Sequence, residues 1–589
     1  MTVPVRLLTT GIEVSGNKTF EILTMRGGSW SIEATTTSLE SAKAEAAKML
    51  NRPNTQGVRV IQESRKSIAQ LGPEDILFEK LRIKNEDKIF VQHILDAPMC
   101  SSAADLFERP ARMTINQLFR AYLDKNNITA GELMHSAKEI KRLLDEGTLI
   151  SSATGKVATI QAKKQEGATT NQRRDMLFEY VNEINAKART AADQKLPRIR
   201  DAGFNDVLER ITGSAAAGDA DYLMRVAIST ELLDTRSYFG KLVQLLEWSS
   251  AVESDQAFVL LDFFISDVLW NADVIRDLLG DQRDLGSALV TMICFANGEP
   301  LTEELPEGLS PEHPKFVGMQ LNQLIAEGRL PDTQTVLFDR IKRQLEGLNP
   351  LSRGDREEER EVFFGLLNKL IPDIEMIGGA AMAEAVTARQ STLINKGGNK
   401  GMKEAAASML PSLNDPGRKT GYLLALLECE IGQEVLRADI DDHLDAILVK
   451  PPSVNHLVRD KLPPNKKMQK LTSIYYRVEK SRLPDDRKER LTKHLDDLLA
   501  SYIVDGKILD KVNNPERPLH IRANMLLSMV QPDMLPSGRA SALARDIIVK
   551  HLKRPNFEAE FVSQIPDAEQ KARSLRQFHE QLRRCGFFG

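Results

Sequence analysis

Residues 256–296 constrain the fold more than any other stretch of the chain. The run opens Gln-Ala-Phe-Val-Leu-Leu-Asp-Phe-Phe-Ile-Ser-Asp-Val-Leu-Trp and closes on Leu289-Val290-Thr291-Met292-Ile293-Cys294-Phe295. Phe258, Leu261, Ile265 and Leu269 recur at steps of three and four, the spacing of one helix face. Phe263, Phe264, Val268 and Trp270 widen that face beyond a single stripe. A helix apolar over most of its circumference has to be covered on several sides. The stretch is therefore expected to be a central core helix with many neighbours.

It does not read as a membrane span. Asp262, Asp267, Asp273, Arg276 and Asp277 interrupt it, whereas a span needs about 20 nearly uncharged residues and each mid-bilayer Asp costs about 3 kcal/mol. These acids are expected on the wet edge of the helix rather than in a metal or acid–base site, because acidic residues usually mark a solvated face. Asp273 and Asp277 share helical i, i+4 spacing but run into Leu278-Leu279-Gly280 and read as a surface edge.

With 589 residues, the chain has room for three to five domains at about 150 residues each. Hydrophobic residues make up 42% and charged residues 28%, ordinary values for a water-soluble globular chain. Aromatic residues are only 5%, too few for a protein built on stacking surfaces. The four cysteines, Cys100, Cys294, Cys429 and Cys585, are scattered and form no Cys-x-x-Cys pair, so no zinc site is expected. The opening segment lacks the apolar run of a signal peptide, and a cytoplasmic protein with reduced thiols is expected.

Residues 1–96 differ from the rest. Residues 18–25 and 29–36 alternate as strands around Gly27-Gly28, a hairpin signal. Thr37 and Glu40 have capping-box spacing, and Leu39, Ala42, Ala46, Met49 and Leu50 give the helix that follows one apolar face. Residues 57–63 read as a third strand, and 76–83 and 88–94 as further strands. The sum is a small α+β module of β-β-α-β-β type, its helix on one face of an antiparallel sheet. His93 falls in a strand and is read as structural. The module is expected to bind a partner or a copy of itself.

From residue 97 the pattern is helical. The chain divides into a connector (97–165), a helical domain holding the core helix (170–296), a second helical domain (315–449) and a C-terminal helical domain (451–589). Prolines 300, 306, 311 and 314 break residues 297–314, and two Pro-Pro pairs break 450–467. Leu-Pro dipeptides at 330, 410, 462, 483 and 535 each precede a helical pattern, where proline is tolerated at the first position. No fixed period runs through these helices. The fold class is mainly α, an irregular multi-helical array with HEAT-like curvature, plus the N-terminal module.

No residue pattern assigns a reaction. Gly397-Gly398-Asn399-Lys400-Gly401 precedes a helix, but it lacks the strand and the Gly-Lys-Ser/Thr ending of a phosphate loop. Asp439, Asp441, Asp442, His443 and Asp445 share one helix whose apolar stripe is Leu436, Ile440, Leu444 and Leu448. Asp439 and His443 could place two metal ligands on one face, yet the His-Glu-x-x-His of zinc hydrolases is missing, and no metal or cofactor is assigned. His456, His494, His520, His551 and His579 lack a nucleophile at recognisable spacing.

Charge is uneven. Residues 451–589 hold 26 Lys and Arg against 17 Asp and Glu, while the whole chain is at −4. Lys461, Lys466, Lys467, Lys470, Arg583 and Arg584 are the candidate electrostatic binding residues. They could meet nucleic acid or an acidic partner, or the chain's own acidic half. Interleaved acids and sparse aromatics make nucleic acid the weaker reading. The expectation is a non-enzymatic cytosolic scaffold or adaptor holding protein partners. The alternatives are an enzyme with a site assembled from distant, metal-assisted residues, and nucleic-acid binding through the basic C-terminal part. The closing Phe587 and Phe588 are expected to pack back on the last helix.

Overall fold

The computed structural model describes residues 19–26, 29–50, 55, 57–62, 75–81, 89–215, 218–299, 310, 312–458 and 461–587. It divides into two compact units, 1–90 and 91–589, and the chain is mainly helical with a small β-containing module at its start.

In the first unit, β1 (Phe20–Arg26), β2 (Ser29–Thr36), β3 (Gly57–Gln62) and β4 (Ile76–Leu81) form one antiparallel sheet in the order β2-β1-β3-β4. The two-residue side-chain period of a strand puts Phe20, Ile22, Val58 and Val60 on one face. There they meet Ala42, Ala46, Met49 and Leu50 of the helix Leu39–Leu50. That helix starts one residue later than its capping-box spacing suggested: Ser38, not Thr37, accepts the N–H of Ser41 at 3.4 Å. The additional strand expected over 88–94 is not formed in its described part, since residues 89–94 are irregular and His93 is exposed on that loop. Residue 88 and the Gly27-Gly28 turn lie outside the described residues.

In the second unit, the helix Asp255–Val268 is the core helix. Of its 14 residues, 11 are buried. Asp262 and Asp267 are among them, which corrects their placement on a wet edge. Each carboxylate is buried because it caps another helix. Asp262 accepts the N–H groups of Asp332 and Thr333, at 2.7 and 2.9 Å, in the first turn of Pro331–Glu346. Asp267 accepts the N–H of Gly131 at 2.7 Å in the first turn of Ala130–Met134. These are the orphan donors that every helix start leaves behind, answered by side chains from a different helix. Asp273 and Asp277 do lie at the surface.

The same device recurs. Asp496, in Asp485–Asp505, accepts from Arg539 and Ala540 at 2.6 and 3.0 Å, at the start of Arg539–Leu552. Packing then passes from one helix to the next. Asp255–Val268 lies on Pro331–Glu346, which lies on Gly379–Leu393, then Pro416–Leu427, Pro464–Glu479, Asp485–Asp505, Arg539–Leu552 and Leu519–Met529. One continuous apolar core follows this path from Ala191 to Leu582. Helices either side of residues 297–314 and of 450–467 contribute to it. Phe587 folds back, with its N–H on the Leu582 carbonyl at 3.0 Å and the Arg545 guanidinium over its ring. Phe588 lies outside the described residues.

Candidate functional site

The basic residues singled out by sequence lie on helices with different main neighbours. Lys461 and Lys466 are exposed at the start of Pro464–Glu479. Lys467 donates to Asn455 Oδ1 at 2.9 Å, and Lys470 is ion-paired with Asp415, itself the N-cap of Pro416–Leu427. Arg583 and Arg584 are exposed in the last turn of Ala568–Arg584. That helix packs on Leu519–Met529 and Phe557–Val562, whereas Pro464–Glu479 packs on Asp485–Asp505 and Pro416–Leu427.

Several C-terminal cations face acids of the preceding residues. Arg477 meets Glu428 at 2.9 Å, and Arg487 meets Asp445 at 2.9 Å and Asp441 at 3.7 Å. Arg490 adds a second contact to Asp445, and Lys403 pairs with Asp439 at 2.7 Å. Of the carboxylates weighed as metal ligands, Asp439, Asp441 and Asp445 are thus paired with Lys or Arg, and no group of three or more metal-ligating side chains is found among the described residues. His551 is buried against Asn513, and burial holds its imidazole down at about 4, which keeps it neutral.

Around the core helix lies a frame of buried charge that the sequence did not reveal. Arg112 is wholly buried. It donates to the Phe263 carbonyl, Ser266 Oγ and Asp332 Oδ2, each at 3.2 Å, and stands 3.6 Å from Asp267. Lys241 and Glu132 form a second buried pair at 2.6 Å. Glu132 is also the capping-box residue for Thr129, a Thr-x-x-Glu spacing that the sequence alone reads as a helix start, so the box doubles as an ion-pair site. His135 Nδ1 donates to the Gly131 carbonyl at 2.7 Å, and the ring is otherwise surrounded by Phe107, Tyr222, Phe263 and Phe264. Burial pushes it down to about 3. The Arg112 and Lys241–Glu132 contacts each hold one helix to another.

A cavity of about 120 Å³ opens among the first helices of this unit. Arg109–Leu118 contributes Ala111, Thr114, Ile115 and Leu118 to its wall, and Ala137–Asp145 contributes Ile140 and Leu143. Leu149–Lys164 contributes Ile150, Ala153, Thr154, Val157 and Gln161, and Thr170–Ala192 contributes Leu177, Val181 and Ile184. Thr114 and Thr154 spend their hydroxyls on carbonyls of their own helices, Pro110 and Ile150, at 2.9 Å. The wall is therefore apolar apart from one end, where Gln161 and Cys100 lie. An engineered apolar cavity of about 150 Å³ stays dry and takes up benzene. Left empty, a void of this volume costs about 3 kcal/mol at 24 cal/mol per Å³.

At the polar end, the Gln161 side chain is bonded to the Pro98 carbonyl and to Arg173. Arg173 is only 4% exposed, and its Nη2 donates to the Cys100 carbonyl at 2.7 Å. The Cys100 thiol is pushed above its usual range by burial, so it stays protonated and inert. The pocket is invisible in the sequence, because its lining comes from several helices, Ala130–Met134 with Leu133 and Met134 among them, whose apolar faces each read as ordinary core.

No family model, no curated protein and no solved structure matches this chain.

Proposed function

We propose that the chain is a non-enzymatic scaffold or adaptor that holds protein partners along its helical array. The observation that carries this reading is the run of helices packed one against the next from Asp255–Val268 to Leu519–Met529. Such an array presents long surfaces and needs no chemistry of its own. The commitment of Arg112, Lys241, Glu132, Asp262 and Asp267 to interhelical bonds supports it. So does the pairing of Asp439, Asp441 and Asp445 with Lys403, Arg487 and Arg490, which disfavours metal-assisted catalysis. Neutralisation of Lys470, Arg477 and Arg487 in the same way disfavours nucleic acid. Four free thiols support a reducing, cytoplasmic setting. No helix among the described residues is long and apolar enough to cross a membrane.

The test is purification of the intact protein from its native cell, with mass spectrometry, metal analysis and nucleic-acid analysis on one eluate. A stoichiometric protein partner, without metal or nucleic acid, is the expected result. A lone chain carrying one equivalent of metal would sink the scaffold reading, and Asp439→Ala would then be the first variant to make.

A further inference from the structure

We propose that the cavity beside Arg173 binds a medium-chain fatty acid, with the hydrocarbon tail among Ala153, Val157 and Leu177 and the carboxylate on the guanidinium. Two independent observations meet there. The first is the apolar cavity. Its volume is somewhat below that of the void that takes up benzene and suits an alkyl tail of about six carbons.

The second is the charge state of Arg173. It is a buried cation whose partners are all neutral: Gln161 Oε1, the Cys100 carbonyl and, 3.7 Å from Nη1, the Met176 sulfur. Among the described residues no carboxylate stands in ion-pair range of it. Asp105, the nearby acid, spends its oxygens on the Ser101 N–H at 2.6 Å and on Ser102 at 3.0 and 3.2 Å.

A buried guanidinium without a counter-ion is costly, and a carboxylate is the acceptor that its planar fork fits best. Gln161 Oε1 accepts from both Nε and Nη2 and its residue lines the cavity, so it is the neutral acceptor that an incoming carboxylate would displace. Gln161 and Cys100 line the cavity and both accept from Arg173, so the cation stands directly behind the cavity's polar end. A neutral hydrocarbon would fill the void and leave the charge unanswered. A small anion would do the reverse. A carboxylate with a short tail does both. The proposal does not depend on partner binding by the array.

Sodium octanoate and 1-octanol are titrated into the full-length protein by calorimetry, with the melting midpoint followed in parallel. Octanoate is expected to bind at one equivalent and to raise the midpoint of the unaltered protein as its concentration rises. Arg173→Gln should weaken octanoate by about ten-fold or more, the worth of a charge-assisted bond, and leave 1-octanol unchanged. Arg173→Lys should restore part of the loss, and Ala153→Leu should block both ligands by filling the void. Absence of saturable octanoate binding at millimolar concentration overturns the proposal. So does octanoate binding that ignores Arg173→Gln, or that survives Ala153→Leu.

Discussion

Asp262 illustrates how a single buried carboxylate can make folding depend on pH. Burial pushes its carboxyl up to about 6, against hydrogen bonds from Thr333 and Asp332 that pull it down. A carboxyl raised in the fold is held more tightly in its protonated form than in the unfolded chain. Its contribution is therefore present near pH 4 and is lost as pH rises through about 6. The rise from 3.8 to about 6 is worth about 3 kcal/mol. Asp262→Asn, which keeps an acceptor and removes the charge, should accordingly look better relative to the parent at pH 8 than at pH 5. Urea melts of both proteins at the two pH values measure this, and a difference that stays constant between them would show that Asp262 does not titrate. Sequence alone set this residue on a solvated edge because its partners arrive 70 residues later. Hydrophobic pattern reports which faces are apolar, whereas a buried acid is decided by a long-range hydrogen bond. The Thr129–Glu132 box was legible because both members are local, but the Lys241 that makes Glu132 a buried ion is 109 residues away.

At the scale of elements, most helices were legible from apolar period, and their starts from Leu-Pro and Ser, Thr or Asp signals. The pattern could not show where a long periodic stretch breaks in two. Residues 113–126 read as one helix, but the chain forms Arg109–Leu118 and Arg120–Asn126. Residues 129–144 likewise read as one helix from the Thr129–Glu132 box, but Ser136 caps a new helix within them. Close approach between elements was equally invisible. Gly421 in Pro416–Leu427 lies so near the backbone of Ile374 that an added Cβ would come within 1.7 Å of its carbonyl oxygen. Gly365, exposed in Arg356–Leu370, has nothing within 4 Å of the same position. One substitution should thus act in opposite directions. Gly421→Ala should cost about 2–3 kcal/mol, because backbone cannot yield as a side-chain tip does. Gly365→Ala should stabilise by about 0.5–1 kcal/mol through helix propensity alone. Denaturant melts of the two variants decide it, and a neutral Gly421→Ala would mean that the two elements do not approach so closely.

At the scale of the molecule, the proline-rich segments 297–314 and 450–467 raise the question of whether they divide independent folding units. Bonds on either side of each segment argue that they do not. Across the first, Asn322 donates to the Phe295 carbonyl at 3.0 Å, Gln334 to Ala296 at 2.9 Å, and Asp262 caps Pro331–Glu346. Across the second, Arg487 reaches Asp445, and Tyr422 through Leu427, all wholly buried, lie in a helix covered by Pro464–Glu479. Opening either segment would strip apolar core at about 25 cal/mol per Å², so neither is a cheap place to come apart. Arrays of this type are held by neighbour interfaces, and their cooperativity is set by the weakest of these. Hydrogen exchange of the intact protein in rising denaturant measures those interfaces directly. Amides in Asp255–Val268, Pro416–Leu427 and Asp485–Asp505 should converge on one opening free energy, with no step at either proline-rich segment. The sheet of β1–β4, whose own core is small, should exchange at a lower one. If protection instead drops in separate steps at 297–314 and 450–467, each segment marks a true domain edge, and the shared core contributes less than its burial implies.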